Sequence, residues 1–261
     1  MKINVVFNKH IENYLEVLSS LEAALIEMKT EFKTFELDSM ENWGDFTIVI
    51  GGDGTLLKAA RFYSEWHIPV FGLNLGRLGF LSQGICGEIK PILESITNGD
   101  YFTEERLMLT SIDKVALNDF VIKGCNSSRT SKFYLEIDGK EVCDYIADGL
   151  IIATPTGSTA YGLSAGGPVV YPTMDAIVIV PICPHTLNAR PLVVPSDEVL
   201  TVKTSDKLLS VAIDGFETEE CVEKITIKVA ERKAKLAFLK QGRFYEVLRD
   251  KLHWGTSEAR G

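Results

Sequence analysis

The sequence predicts two joined architectures, an α/β half built on a parallel sheet and, after it, an antiparallel β half. Three observations carry this. Residues 1–100 alternate short apolar, β-branched runs with stretches at helical spacing, the pattern of strands linked by helices across one sheet. From 101 to 239 the strand-like runs become short, and turn dipeptides such as Asp138-Gly139 and Asp214-Gly215 punctuate them. A chain of 261 residues also has room for two domains of ordinary size.

Taken in order, residues 3–7 predict the first strand. Ile11, Leu15, Leu18, Leu21 and Leu25 then recur at helical spacing over 11–28. Residues 32–37 and 46–50 predict the second and third strands, the latter ending at Gly51. Good helix formers follow from Leu56 to Arg61, and 70–75 predicts a fourth strand. The texture changes around Asn98-Gly99-Asp100. Beyond it, 199–203, 208–213, 225–229 and 235–238 are strand candidates, with two-residue hairpin turns expected at 137–140 and 213–216. Residues 245–252 read as a helix, and the segment 240–261 is a candidate return to the first domain.

Composition excludes several classes. With 46% hydrophobic and 24% charged residues, the chain has the make-up of a globular protein in water. A net charge of −9, without any basic run, disfavours nucleic acid and anionic membrane as partners. The apolar stretch at the N-terminus is only a strand's length, and no run approaches the ~18 residues of a membrane span. A cytoplasmic location is therefore expected. The cysteines at 86, 125, 143, 183 and 221 are odd in number and include no CxxC pair. Neither a disulfide framework nor a zinc site fits, so reduced thiols are expected and no metal ligand set is assigned.

The chemistry begins at Gly51-Gly52-Asp53-Gly54-Thr55, where a strand ends and a helix begins. Glycines let a phosphate approach the backbone, and the free N–H groups of a helix N-terminus favour an anion. Asp53, in the middle, suits holding a divalent cation or accepting a proton from a hydroxyl. A phosphate cradle beside such a carboxylate points to phosphoryl transfer. On the pattern alone, a purely structural strand–helix turn stands level with this reading. Neither G-x-x-x-x-G-K-[ST] nor G-x-G-x-x-G is present, which disfavours a P-loop and a standard dinucleotide fingerprint. A second glycine turn, Gly76-Arg77-Leu78-Gly79-Phe80, ends the next strand, a position from which the two turns could face one cleft.

Two more segments stand out. From Asp148 a strand at 150–153 leads into Thr154-Pro155-Thr156-Gly157-Ser158-Thr159-Ala160-Tyr161-Gly162-Leu163-Ser164-Ala165-Gly166-Gly167-Pro168. These fifteen uncharged residues, rich in hydroxyls, suit a pocket for a sugar, a base edge and a flat ring; the bland alternative is a long Ser/Thr/Gly loop. Asn118-Asp119 interrupts a strand-like run, either as a bulge or as a site where Asp119 accepts hydrogen bonds from ligand hydroxyls. Gly162-x-Ser164-x-Gly166 satisfies the nucleophile-elbow pattern, with His253 as the available base, but turn residues precede it and Gly-Pro follows. A serine hydrolase is thus a minor alternative. His185 has no partner at metal-ligand spacing and reads as a loop histidine.

Together these motifs resemble the NAD kinase family. Gly51–Thr55 matches its GGDGT motif, Asn118-Asp119 its N-E/D motif, and 148–168 its long DG…TPTGSTAYxLSAGGP signature; 76–81 and Pro181-Ile182-Cys183-Pro184-His185 also look like family segments. Lipid kinases and phosphofructokinases carry similar GGDG turns, and a lipid kinase of that group is a second alternative. The fifteen-residue signature is what makes the resemblance specific.

The resemblance implies a Rossmann-like α/β domain and a C-terminal β-sandwich with a cleft between them. It implies transfer of the γ-phosphoryl of ATP, or of a polyphosphate phosphoryl, to the 2′-hydroxyl of the adenosine ribose of NAD, giving NADP, with magnesium as the divalent cation. Asp53 matches the essential aspartate, as proton acceptor or as part of a magnesium site. Gly52, Gly54, Thr55 and Phe80 would lie at the phosphates, with Lys58 and Arg129 as phosphate contacts or solvated-face residues. Asn118 and Asp119 would contact the adenosine of NAD. Asp148, Ser158, Thr159, Ala160, Tyr161, Gly162, Leu163 and Ser164 would enclose base and nicotinamide, Tyr161 offering a ring face. Asp119 stands where many members have Glu, one methylene longer, and Gly162 where Ser is common. A homo-oligomer is the implied assembly, and a non-catalytic NAD sensor is disfavoured by retention of Asp53.

Overall fold

In the computed structural model, which describes residues 1–75, 79–85, 89–111, 113–125, 130–206, 208–215 and 217–253, the chain divides into two units. One comprises Met1–Glu105 with Ala234–Gly261, the other Arg106–Lys233. The first unit is built on the strands β1 (Lys2–Phe7), β2 (Glu31–Glu36), β3 (Phe46–Ile50) and β4 (Val70–Asn74), paired in parallel in the order β2-β1-β3-β4. Every residue of β3 and β4 is buried, as strands covered by helices on both faces must be. Helix α1 (Tyr14–Glu27) buries Val17, Leu18, Leu21 and Leu25, and Asn13, in left-handed conformation, sets its start later than the predicted residue 11. Helix α2 (Asp53–Tyr63) leaves the C-terminal end of β3 directly. The short β5 (Gly84–Ile85) pairs with β4, helix α3 (Ile89–Asn98) packs Ile92, Leu93 and Ile96 into the same core as α1, and β6 (Phe102–Arg106) forms an edge.

The second unit consists of β7 (Leu109–Ser111), β8 (Lys114–Ala116), β9 (Asp119–Gly124), β10 (Ser131–Ile137), β11 (Lys140–Ala147), β12 (Gly149–Ala153), the single turn α4 (Tyr161–Ser164), β13 (Ala176–Ile182), β14 (Leu192–Pro195), β15 (Leu200–Thr204), β16 (Leu209–Ile213), β17 (Glu217–Val222) and β18 (Lys224–Val229). The strands form two antiparallel sheets, β11-β10-β15-β18-β7-β8 and β14-β13-β12-β9-β16-β17. Phe120, Ile122, Leu150 and Ile152 of one sheet meet Phe133, Leu135, Val202 and Ile227 of the other in one core, which makes the unit a sandwich. β12 and β13 are buried on both faces, because Ile151, Val178, Val180 and Ile182 pack outward against Val170 and Ala165 of the signature segment. That double burial explains why these strands read as unbroken apolar runs.

Three expectations need correction. Residues 235–238 were grouped with the antiparallel strands, yet β19 (Ala234–Phe238) pairs in parallel with β4 and belongs to the first unit, as does helix α5 (Phe244–Leu252). A short apolar strand carries no mark of its partner's direction. The Asp138-Gly139 turn, with φ of 49° and 74°, joins Ile137 to Lys140 as a two-residue hairpin should. At the second hairpin Ile213 pairs with Glu217 instead, Phe216 lying outside the described residues. Asp214 N–H there donates to the Asp119 carbonyl at 3.0 Å, so β16 stays paired to β9 one residue further. Finally, Cys125 is disulfide-bonded while Cys143 and Cys183 are free, so the all-reduced expectation fails at Cys125. Spacing along a chain does not reveal which thiols the fold brings together.

Candidate active site

Two sites, one in each unit, gather the residues that the sequence singled out, and each is organised by a carboxylate holding successive backbone N–H groups. In the first unit, α2 begins at Asp53 because Gly52, extended at φ −82° and ψ −175°, turns the chain off β3. The Asp53 carboxylate points to the segment after β4. Phe80 N–H donates to its Oδ2 at 2.7 Å, while Leu81 N–H, Ser82 N–H and the Ser82 hydroxyl donate to Oδ1 at 3.1, 3.2 and 3.2 Å. A carboxylate offers about four lone-pair positions, so Oδ1 is saturated and Oδ2 keeps room for one more partner. Gly79 is glycine for the same reason. A Cβ there would sit 1.8 Å from Asp53 Oδ1, so a side chain at 79 would occupy the carboxylate's own place.

The loop that Asp53 holds is stitched into the sheet further on. Gln83 N–H donates to the Gly72 carbonyl, its Nε2 to Ala237 O, and its Oε1 accepts Leu239 N–H. Lys251, from α5, brings its ammonium to 3.9 Å from Asp53 Oδ2 and 5.1 Å from the centre of the Phe80 ring. Gly52 and Gly54 are exposed, with nothing within 4 Å of where a Gly52 Cβ would be, so the N–H groups opening α2 are accessible to an anion. Thr55 is buried and accepts a hydrogen bond from Asn8 at 3.5 Å. Lys58 pairs with Asp38 at 2.5 Å. Arg129, like residues 76–78 of the second glycine turn, lies outside the described residues.

In the second unit, Asn118-Asp119 is no bulge. β8 stops at Ala116, the chain crosses from one sheet to the other, and β9 starts at Asp119. Asp214 holds that crossing: its Oδ2 accepts Leu117 N–H at 3.0 Å, and its Oδ1 accepts Asn118 and Asp119 N–H at 2.7 and 3.0 Å. The signature segment closes on the same backbone. Thr154 N–H donates to Asn118 O and its hydroxyl to Leu117 O, at 2.8 and 2.6 Å. Gly157 lies so close that a Cβ would come within 2.1 Å of Asn118 O.

The hydroxyls expected to face a ligand divide into two groups. Ser158 is fully buried, donates to Pro155 O and accepts Val170 N–H, so its hydroxyl builds the loop. Thr159 turns its hydroxyl to Thr156 O. Ala160, Leu163 and Ser164 remain partly or fully exposed, Gly162 is buried, and Tyr161 shows 41% of its surface. Ser164 ends the helical turn of α4 instead of joining a strand to a helix, so the nucleophile-elbow geometry is absent. Asp148 is exposed and stands 4.0 Å from His185 Nε2.

Asp119 is the most perturbed carboxyl in this set. It is 4% exposed, and burial, with the nearby Asp214 carboxylate adding to it, pushes it up to about 7. Asp214, Gly79 and Lys251 were not singled out as site residues from sequence. Asp214-Gly215 reads as an ordinary turn, and nothing local at Lys251 announces a distant partner. Among the described residues, no group of three His, Cys, Asp or Glu side chains is placed to hold a metal ion, and no helix is long and apolar enough to cross a membrane.

A glycine turn at a helix N-terminus with a fixed carboxylate, carried by a parallel-sheet unit that the chain continues into a β-sandwich, fits a phosphotransferase of the nucleotide-dependent kind. Residues 3–101 match the ATP-NAD kinase N-terminal domain and residues 117–241 the ATP-NAD kinase C-terminal domain. The chain is 42% identical over 224 residues to the NAD kinase of Geobacter sulfurreducens, covering 81% of this chain and 79% of that protein. Against the NAD kinase of Geotalea daltonii it is 40% identical over 236 residues, 85% and 83% of the two chains. The structure of an NAD kinase from Archaeoglobus fulgidus in complex with ATP aligns with a TM-score of 0.82 at 27% identity, over 97% of this chain and 99% of that one. Yeast NADH kinase complexed with NADH shares the fold, with a TM-score of 0.87 at 23% identity over 100% and 90%. The chain belongs to the ATP-NAD kinase family and is a phosphotransferase.

The shift at Asp119 has a consequence for stability. Its folded value lies above that of an unfolded aspartate, so the folded state holds the extra proton, and stability falls as pH rises from about 4 through about 7. Asp119→Asn removes this loss. The stability gained by the variant over the parent, measured by urea unfolding, is expected to grow between about pH 5 and pH 8.

Proposed function

We propose that this NAD kinase transfers the γ-phosphoryl of ATP to the 2′-hydroxyl of the adenosine ribose of NAD, with Asp53 as the group that receives the hydroxyl proton. In that step the ribose 2′-oxygen bonds to the γ-phosphorus while the bond to the β,γ-bridging oxygen breaks. ADP leaves, and the proton passes to Asp53 Oδ2 and on to water. The observation that supports this assignment is the unequal loading of the carboxylate: Oδ1 takes three donors, Oδ2 one. A held carboxylate with one open lone pair is aimed at a single position. A loose phosphoryl transfer asks for such positioning more than for a strong base.

The exposed N–H groups at Gly52 and Gly54 would carry donor phosphates, and Thr55 and Phe80 would set the turn around them. Asn118 and Asp119, fixed by Asp214, would bind the adenosine ribose; Tyr161 and its neighbours 159–164 would enclose the rings, with Asp148 at the rim. Ser158 supports that pocket from within. Asp53, with room on Oδ2 for one more partner, is the side chain that would hold a magnesium ion beside the donor phosphates. Such an ion would neutralise charge on the donor phosphates. A homo-oligomeric assembly and a place in NADP biosynthesis rest on the family resemblance, and a cytoplasmic location rests on the chain's apolar patterning and cysteine usage.

Two outcomes are expected with purified protein, NAD and ATP, product being read by an NADP-specific dehydrogenase. Asp53→Asn lowers kcat by about 10²-fold or more while NAD still binds; near-parental turnover would remove Asp53 from the reaction. Asp119→Ala raises the KM for NAD more than that for ATP, and equal loss for both would count against its placement at the adenosine. Replacing ATP by polyphosphate, and NAD by NADH, in the same assay defines donor and acceptor range.

A further inference from the structure

The chemistry proposed for Asp53 creates a problem that the GGDGT turn alone does not solve. A carboxylate pinned by four hydrogen bonds cannot swing away as a donor's terminal phosphate approaches. The partial positive charge at the start of α2 is about half an elementary charge, against a full negative charge on Asp53 and more on the nucleotide. Lys58, the lysine of α2, has its ammonium against Asp38. Among the described residues, the cation that faces Asp53 is Lys251, at 3.9 Å from Oδ2, the oxygen with the open lone pair.

We propose that Lys251 is the donor-phosphate cation of this enzyme, contacting the terminal phosphoryl during transfer. This rests on the reading of the chain as an ATP-dependent NAD kinase. Three features of its setting fit the role. It projects from α5, whose Val247 and Leu248 are buried, so its base is fixed while its side chain stays about one-third exposed. Its flexible four-carbon stem lets the ammonium move by an ångström or two from the carboxylate to a phosphate oxygen. The Phe80 ring, 5.1 Å away, lies along one side of the charge and gives it a second resting contact. Asp53 and Lys251 are each about one-third exposed, so both remain open to an incoming ligand. In a loose transfer the charge spreads over the equatorial oxygens of the moving phosphoryl group, and a point cation beside the acceptor carboxylate offsets repulsion there.

The test compares the parent, Lys251→Met and Lys251→Arg in the full-length chain. Lys251→Met is expected to lower kcat/KM for ATP by about 10- to 100-fold with the KM for NAD changed less than about twofold, and Lys251→Arg to recover most of the loss. Direct titration separates contact with the terminal phosphate from a role in holding α5. A non-hydrolysable ATP analogue should bind Lys251→Met about tenfold more weakly than the parent, whereas ADP, lacking that phosphate, should bind both alike. Equal losses for the analogue and ADP, unchanged ATP kinetics, or a parallel rise in the KM for NAD would each overturn the inference. If the parent itself made no NADP, the functional reading would fail instead. A lowered thermal midpoint in Lys251→Met together with unimpaired analogue binding would assign Lys251 a purely structural role.

Discussion

The structure depends on one repeated device: an aspartate whose side chain takes the place of a missing strand, accepting consecutive backbone N–H groups that no ladder reaches. Asp53 does this for Phe80, Leu81 and Ser82, and Asp214 for Leu117, Asn118 and Asp119. An N–H left without an acceptor in these part-buried places would cost on the order of 1–3 kcal/mol, and hydrogen bonds to a charged acceptor are the stronger kind. Each carboxylate thereby converts an irregular connection into a fixed one. Irregular backbone is where a site can expose N–H groups and side chains that regular strands would hide, so these clamps are also what makes binding surfaces possible.

Family motifs gain a physical meaning from this. In the first unit the GGDGT aspartate and the glycine at 79 are one feature, since the carboxylate occupies the volume of the absent side chain. In the second, the N-D motif, Thr154, Gly157 and the Asp214 turn form one network around the backbone of residues 117–118. A substitution that looks conservative at Gly79 or Gly157 would therefore act on Asp53 or on Asn118. The signature segment likewise has two layers. Thr154 and Ser158 hold the loop from inside, and Tyr161 and Ser164 face outward on it.

Much of this was legible in the sequence where a local pattern has a single physical solution. Buried parallel strands show as apolar runs, an Asp-Gly pair shows a turn, and a strand, three glycines and a helix show the corner at which α2 leaves β3. What stayed hidden depends on distance along the chain. Asp214 looks like any hairpin aspartate until its carboxylate is seen on residues almost a hundred positions earlier. β19 reads as one more antiparallel strand until Leu236 is found opposite Val70. Ser158 was expected among the ligand contacts because hydroxyl-rich loops often present donors; its burial comes from the Val170 backbone, which no spacing rule links to it. Ile89, Ile92, Leu93 and Ile96 did carry a helical spacing that would have located α3.

Asp53 clamps the loop that follows β4, and amide hydrogen exchange tests that most directly. In Asp53→Ala, the amides of Phe80, Leu81 and Ser82 should exchange at least about tenfold faster than in the parent, while those of β3 keep their protection. Unchanged exchange at all three would mean that the carboxylate does not hold the loop, and the organisation described for the first unit would be contradicted.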